Sequence, residues 1–226
     1  MIELISDYSK LLLTAMGQTL IMALYSLIFA SIIGLMFGML SVLNNKACKI
    51  ISQIFVDVIR GVPMIVLAFF VYFGIPYAFK NMLNIKFTFS SLQAGIICLS
   101  LNCGAYMAEI IRAGIQSVDR GQMEAARSLG MPYWRSMKKV VLPQAIRTMI
   151  PSIINQFIIT LKDTSILSVI GFPELVNTAK SVISVTHESF QVWIIVGFMY
   201  LVVITLLSRL AKLLERRLNR SSGKHD

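Results

Sequence analysis

Charged side chains divide this chain into long uncharged runs. After Lys10 none occurs until Lys46, which leaves 35 residues at 11–45 without a charge; 61–79 contributes 19, 87–108 contributes 22, 148–161 contributes 14 and 189–208 contributes 20. A helix crossing roughly 30 Å of hydrocarbon needs about 20 apolar residues. Four runs meet that length, and the run at 148–161 falls short, carries Pro151 and ends at Lys162-Asp163. Its alternatives are a span and a buried or re-entrant helix. The apolarity is continuous and does not alternate at period two, so helices are expected and not a barrel. The pattern predicts an all-α integral membrane protein forming one domain over 1–226, with five transmembrane helices at about 13–43, 61–79, 87–109, 148–163 and 189–209. Residues 1–12 read as an interfacial lead-in. With Glu3 and Asp7 where a secretory signal is basic, the first helix is expected to be retained.

Composition agrees: 56% of the residues are hydrophobic and 14% charged, too few charges to cover a soluble surface. The formal net charge of +10 raises nucleic acid as a partner. The positions of the basic residues exclude it, because nucleic-acid binding needs a basic surface facing water. Sixteen of the 21 lysines and arginines fall in the 44–60 connection, the 109–148 connection and the tail, against five (Lys10, Lys80, Lys86, Lys162 and Lys180) on the other side. The positive-inside bias then predicts a multi-pass membrane protein, amino terminus outside and carboxyl terminus in the cytoplasm. In the tail, Leu210, Leu213, Leu214 and Leu218 recur among basic residues, as in a helix extension held at anionic lipid headgroups. Cys48, Cys98 and Cys103, with His187 and His225 apart from them, suggest inert thiols and no metal.

The 112–147 loop carries helix signals. Asp119 and Gln122 stand at capping-box spacing, Met123, Ala126 and Leu129 form a narrow apolar stripe, Gly130 suits a C′ position and Pro132 the start of a second helix. A short helix is expected at 119–129 and another at 132–141, stopped by Pro143. The first either packs on the bilayer surface or, with Ala125 and Ala126 so small, enters a partner's groove with Glu124 and Arg127 at the rim.

Few ionisable residues enter the spans, and such residues default to function. Asn102, Ala105, Tyr106 and Glu109 share one face of the third span; near the end of the fourth, Asn155 and Lys162 share one face and Gln156, Thr160 and Asp163 another. For a zwitterionic amino acid, Glu109 or Asp163 would hold the ammonium, and Lys162 with Asn102 the carboxylate. A second carboxylate would suit a basic side chain. Alternatively Glu109 pairs with Arg112 at i+3, and Lys162-Asp163-Thr164 caps a helix or sets an elbow. Asp57 and Arg60 read as a local ion pair ahead of the break at Gly61 and Pro63.

Glu124-Ala125-Ala126, three residues, Gly130, nine residues, Val140, one residue and Leu142-Pro143 resemble the EAA loop of ATP-binding-cassette importer permeases, with Val140 in place of the usual Ile. Arg60-Gly61-Val62-Pro63, Tyr72-Phe73-Gly74, Ala105-Tyr106-Met107-Ala108-Glu109, Arg112-Ala113-Gly114, Leu142-Pro143-Gln144-Ala145 and Lys162-Asp163-Thr164-Ser165 resemble the polar amino acid branch, covering 60–175 almost continuously. The resemblance implies an importer-type permease fold with a cytoplasmic coupling helix. Glu124, Ala125, Ala126 and Gly130, with Arg127 and Leu129, would dock in a cleft of a separate ATPase. It further implies a second permease copy or paralogue, an extracytoplasmic amino-acid-binding protein and alternating access. No phosphate-binding Gly-Lys loop is present, so ATP and magnesium are expected on the partner ATPase, with no cofactor or catalytic site in this chain. A secondary transporter not driven by ATP is the rival; it would need coupling-ion carboxylates and usually an inverted repeat, and no repeat is visible.

Overall fold

The structure, a computed structural model, describes residues 2–43 and 45–220, so that His225 lies outside the described residues. These form eight helices and no strand: α1 (Ile2–Val42), α2 (Lys46–Gly61), α3 (Met64–Leu83), α4 (Ser91–Gln116), α5 (Arg120–Ser128), α6 (Tyr133–Ile170), α7 (Leu175–Thr186) and α8 (Ser189–Arg220). Five of them, α1, α3, α4, α6 and α8, contain stretches long and apolar enough to cross a membrane.

Residues 2–12 of the expected lead-in form the first turns of α1. Leu4, Leu12, Ala15 and Met16 lie buried against Leu175, Ala179, Val182, Val192 and Val196 of α7 and α8. Leu4, Tyr8, Leu12 and Ala15 recur at helical spacing, and that stripe continues through the charges at Asp7 and Lys10. At 1.5 Å per residue α1 is about 60 Å long, twice the hydrocarbon thickness.

α4 is the centre of the bundle, buried in a row from Ala94 to Ile115. Ser90 and Gln93 close a capping box at its start: the Gln93 amide donates to Ser90 Oγ at 3.2 Å and the Ser90 amide to Gln93 Oε1 at 3.0 Å. α1 and α4 run parallel, and their contact is made by small residues four apart, Ala30, Gly34 and Gly38 against Gly104 and Ala108. Small residues let two helices approach closely where water supplies no driving force. A Cβ on Gly34 would lie 2.5 Å from Met107 Cβ, whereas one on Gly17 meets nothing within 4 Å. Alanine at Gly17 therefore stabilises the purified protein slightly through its helix propensity. Alanine at Gly34 lowers the melting temperature, by overpacking worth about 1–3 kcal/mol. Thermal melts in detergent that rank the two variants the other way would contradict this packing.

The 44–60 connection, read from sequence as a charged loop, is helix α2, started by Asn45, whose Oδ1 accepts from the Ala47 amide at 2.8 Å. It turns back along α1, where Ser52 Oγ donates to the Phe37 carbonyl at 2.7 Å and Phe55 stacks on Phe37 at 3.8 Å between centroids. Proline restricts the residue before it to extended backbone. Val62, ahead of Pro63, accordingly ends α2 at φ −95° and ψ 129°.

Pro143 does not stop a helix, contrary to the sequence expectation. α6 runs unbroken from Tyr133 to Ile170 and takes in the short run at 148–161. A π turn at Met137–Val141, closed by the Leu142 amide on the Met137 carbonyl, widens the backbone immediately before Leu142-Pro143. α3 repeats the device, with a π turn at Phe70–Gly74 ahead of Ile75-Pro76. In each case the extra residue relieves the clash that a pyrrolidine ring makes with the preceding turn.

Candidate functional site

The α2–α3 break, α4 and α6 enclose a chamber of about 520 Å³. Arg60 enters it from the end of α2, Asn102 and Tyr106 from α4, and Gln156 and Asp163 from α6. The face of α4 is held by the break itself: Asn102 Nδ2 lies 3.8 Å from Met64 Sδ, and Cys98 Sγ lies 3.9 Å from the Met64 carbonyl. The Arg60 guanidinium carbon sits 4.8 Å over the Tyr106 ring. Asp163 stands where the α-helical part of α6 tightens into the 3₁₀ turn Thr164–Ile170, with Thr164 Oγ1 donating to the Leu161 carbonyl at 2.7 Å. Lys162-Asp163-Thr164 thus marks the change from α-helix to 3₁₀-helix within α6, and Asp163 lines the chamber.

Four of the seven expected pathway residues, Asn102, Tyr106, Gln156 and Asp163, come together here. Thr160 is buried nearby but donates to the Gln156 carbonyl of its own helix at 2.9 Å. Lys162 faces the other way, into a groove with Trp193 and Tyr200 of α8, so it does not serve as a donor in the chamber. The hundred-degree step between consecutive helical residues separates it from Asp163. Glu109 lies further along α4, in a second cavity of about 390 Å³ that also holds Lys49, Asp57 and Arg112. There Arg112 grips Glu109 through two nitrogens, Nε at 2.9 Å from Oε2 and Nη2 on Oε1, while Nη1 donates to Gln116 at 2.7 Å. This is the only ion pair among the described residues. Asp57 and Arg60 do not form the pair expected of them, because the guanidinium has turned to Tyr106.

α5 stands at the end of the bundle where α1 and α4 finish. Asp119 Oδ1 caps it by accepting from the Gly121 amide at 2.7 Å. The capping box does not form; the Gln122 side chain instead meets Gln144 Nε2 at 3.4 Å. Gly130, at φ +80°, closes the helix, its amide bonding the Arg127 carbonyl and that of Met131 the Ala126 carbonyl, a Schellman arrangement. Glu124, Ala125, Arg127 and Leu129 are exposed, Leu129 to 84%. Ala126 is not: it is buried within the chain, in a helix seated on the π turn of α6. Its small side chain is covered by the chain itself. Leu129 leaves the apolar stripe because the helix ends there. Exposed Trp134 adjoins this surface and is absent from the sequence-derived set, although an aromatic residue just past a Gly130-Met131-Pro132 turn is a legible signal.

Glu174 is also absent from that set. It is fully buried at the start of α7, accepting from the Val176 and Asn177 amides at 2.8 and 2.5 Å and from Tyr200 Oη at 3.2 Å; beside it the Leu175 amide donates to Thr19 Oγ1 at 3.1 Å. Burial pushes its carboxyl above the ordinary carboxylate range, against those hydrogen bonds. This knot ties α7 to α1 and α8.

Residues 30–220 match the family of binding-protein-dependent transport system inner membrane components. The chain belongs to this family. The permease is 37% identical over 219 residues to the putative glutamine transport system permease protein GlnP of Rickettsia typhi, covering 95% of this chain and 97% of that one. It is 34% identical over 208 residues to the glutamine transport system permease protein GlnP of Escherichia coli K12, at 92% and 93% coverage. Among solved structures, an amino acid ABC transporter crystallised with histidines superposes with a TM-score of 0.85 at 36% identity, covering 94% of this chain and 96% of that one. The inward-facing MetNI methionine ABC transporter shares the fold, with a TM-score of 0.75 at 20% identity and coverage of 93% and 97%. The permease is thus the membrane-spanning, non-catalytic part of an ABC amino acid importer.

Proposed function

We propose that this permease moves a polar L-amino acid of the glutamine type into the cell by alternating access, using the chamber as its substrate site. The carrying observation is the convergence of Arg60, Asn102, Gln156 and Asp163 on one cavity. A zwitterion needs an anion for its ammonium and a cation for its carboxylate; Asp163 and Arg60 supply one of each, and charge-assisted hydrogen bonds are the strong ones. The two amides, Asn102 and Gln156, are then left for an uncharged polar side chain. The basic preference expected from two spare carboxylates loses one of them, since Glu109 is committed to Arg112. The glutamine named for the bacterial relatives supports the same choice.

The amino terminus faces outside and the carboxyl terminus the cytoplasm, in line with the sixteen-to-five division of basic residues. α5 then lies in the cytoplasm as the coupling helix, with Glu124, Ala125, Arg127, Leu129 and Gly130 against a separate ATPase that holds ATP and magnesium. A second permease copy or paralogue closes the open side of the chamber, where Ile159 is 38% exposed, and an extracytoplasmic binding protein delivers the amino acid. Proteoliposomes holding this permease, its ATPase and the binding protein accumulate radiolabelled glutamine only when ATP is supplied on the ATPase side. Uptake that persists without the ATPase and follows an ion gradient would instead establish the secondary transporter.

A further inference from the structure

Arg60 lines both the chamber and the second cavity. The two spaces follow one another along α4: Asn102 and Tyr106 face the chamber, and Glu109, Arg112 and Gln116 face the cavity nearer the coupling helix. Along α2 the order is matched, with Lys49, Gln53 and Asp57 on the second cavity and Arg60 at the threshold. At that threshold the guanidinium carbon lies over the Tyr106 ring, 4.8 Å from its centre, within the range of a cation–π contact.

We infer that Arg60 stacked on Tyr106 is a latch between the substrate chamber and the cytoplasm, and that α2 is the lever that moves it. This rests on the chamber being the substrate site. Three features give the latch two positions. Arg60 is exposed, lines both cavities and makes no ion pair among the described residues. Asp57, one helical turn earlier on α2, is an anion in the second cavity that likewise makes no ion pair among the described residues, and it receives the guanidinium when it leaves the ring. Gly61 then follows, exposed, with nothing within 4 Å of where a Cβ would be, ahead of extended Val62 and Pro63. The backbone beyond Arg60 therefore has room to pivot without repacking a core.

The other end of the lever reaches the coupling helix. Lys49, in the first turn of α2, lines a further cavity of about 520 Å³ together with Arg120 and Met123 of α5 and Tyr133 of α6. A shift of α5 towards or away from the bundle changes the space that α2 occupies at Lys49. Helices transmit such displacements as rigid elements. Ser52 on the Phe37 carbonyl and Phe55 on Phe37 hold α2 to α1 between the two ends, and give the lever its bearing.

The test is leakage without ATP. Proteoliposomes holding the permease assembled with its ATPase are loaded with radiolabelled glutamine, and its escape is followed with nucleotide absent. Tyr106→Leu and Arg60→Gln each raise the escape rate by roughly two- to thirtyfold, the factor carried by a cation–π contact of ordinary strength. The double variant leaks no more than either single one, because both remove one interaction. Tyr106→Phe keeps the aromatic face and stays as tight as the unaltered protein, whatever its uptake. Arg60→Lys, which keeps the charge but not the planar stack, leaks at an intermediate rate. A tight Tyr106→Leu protein that still assembles with the ATPase would overturn the latch, as would Tyr106→Phe leaking as fast as Tyr106→Leu. Asp163→Asn reports on the chamber separately. If it takes up glutamine normally while Tyr106→Leu leaks, the substrate assignment falls and the latch stands.

Discussion

Replacing Gly130 by aspartate abolishes ATP-driven uptake while leaving the permease inserted and folded. A Cβ at Gly130 meets nothing within 4 Å, so the new side chain displaces no neighbour inside the chain. The backbone there is at φ +80°, a conformation that aspartate adopts more readily than other non-glycine residues, so the Schellman turn survives. What changes is the surface, where a carboxylate now stands beside Leu129, which is 84% exposed. A charge buried without a partner in an interface costs several kcal/mol, and each 1.4 kcal/mol is about tenfold in affinity. Uptake in proteoliposomes therefore falls by roughly a hundredfold or more, and the ATPase no longer co-purifies with the permease. The far-ultraviolet circular dichroism and the melting temperature stay close to those of the unaltered protein. Normal uptake by Gly130→Asp would remove α5 from the ATPase contact. A bulky residue at Ala126 also stops transport, but for another reason: it lifts α5 from its seat on α6.

Asp163→Asn reduces the apparent affinity for glutamine by roughly tenfold to a hundredfold, the factor set by losing a charge-assisted hydrogen bond of about 1.5–3 kcal/mol. Binding of glutamine to the isolated binding protein is unchanged, which confines the loss to the membrane step. Glu109→Gln has the smaller effect, since its carboxylate already satisfies Arg112 outside the chamber. Equal losses in the two variants would mean that the chamber does not single out Asp163.

Much of the architecture is legible in the sequence. Uncharged runs of 19–35 residues mark four of the five helices because burying charge in hydrocarbon is so costly. The turn at Gly130 is legible because a positive φ strongly favours glycine. Local signals mislead where they meet a tertiary or backbone adjustment. Charges at Lys46, Lys49, Asp57 and Arg60 suggest a loop, yet the segment is helix α2, with Lys49, Asp57 and Arg60 lining cavities and Ser52 and Phe55 tying it to Phe37 of α1. Pro143 looks like a helix stop, yet the π turn before it absorbs the ring. Ala126 looks like partner surface because smallness suits any close contact, and in the fold it is buried within the chain.

The sequence by itself determined that the chain is membrane-embedded and helical, and that a short capped helix follows the third span. It also bore a motif that resembles the EAA loop of importer permeases. Those are properties of composition and local period. Only the tertiary structure decided which polar residues meet. Asn102, Gln156 and Asp163 are far apart in the chain, and Arg60 joined them because proline and glycine break the helix beside Tyr106. Lys162 and Asp163 are neighbours in sequence, but one turns to α8 and the other to the chamber. Spacing along a helix says which residues share a face; what that face looks into is set by the packing of α4 between α1, α2 and α6.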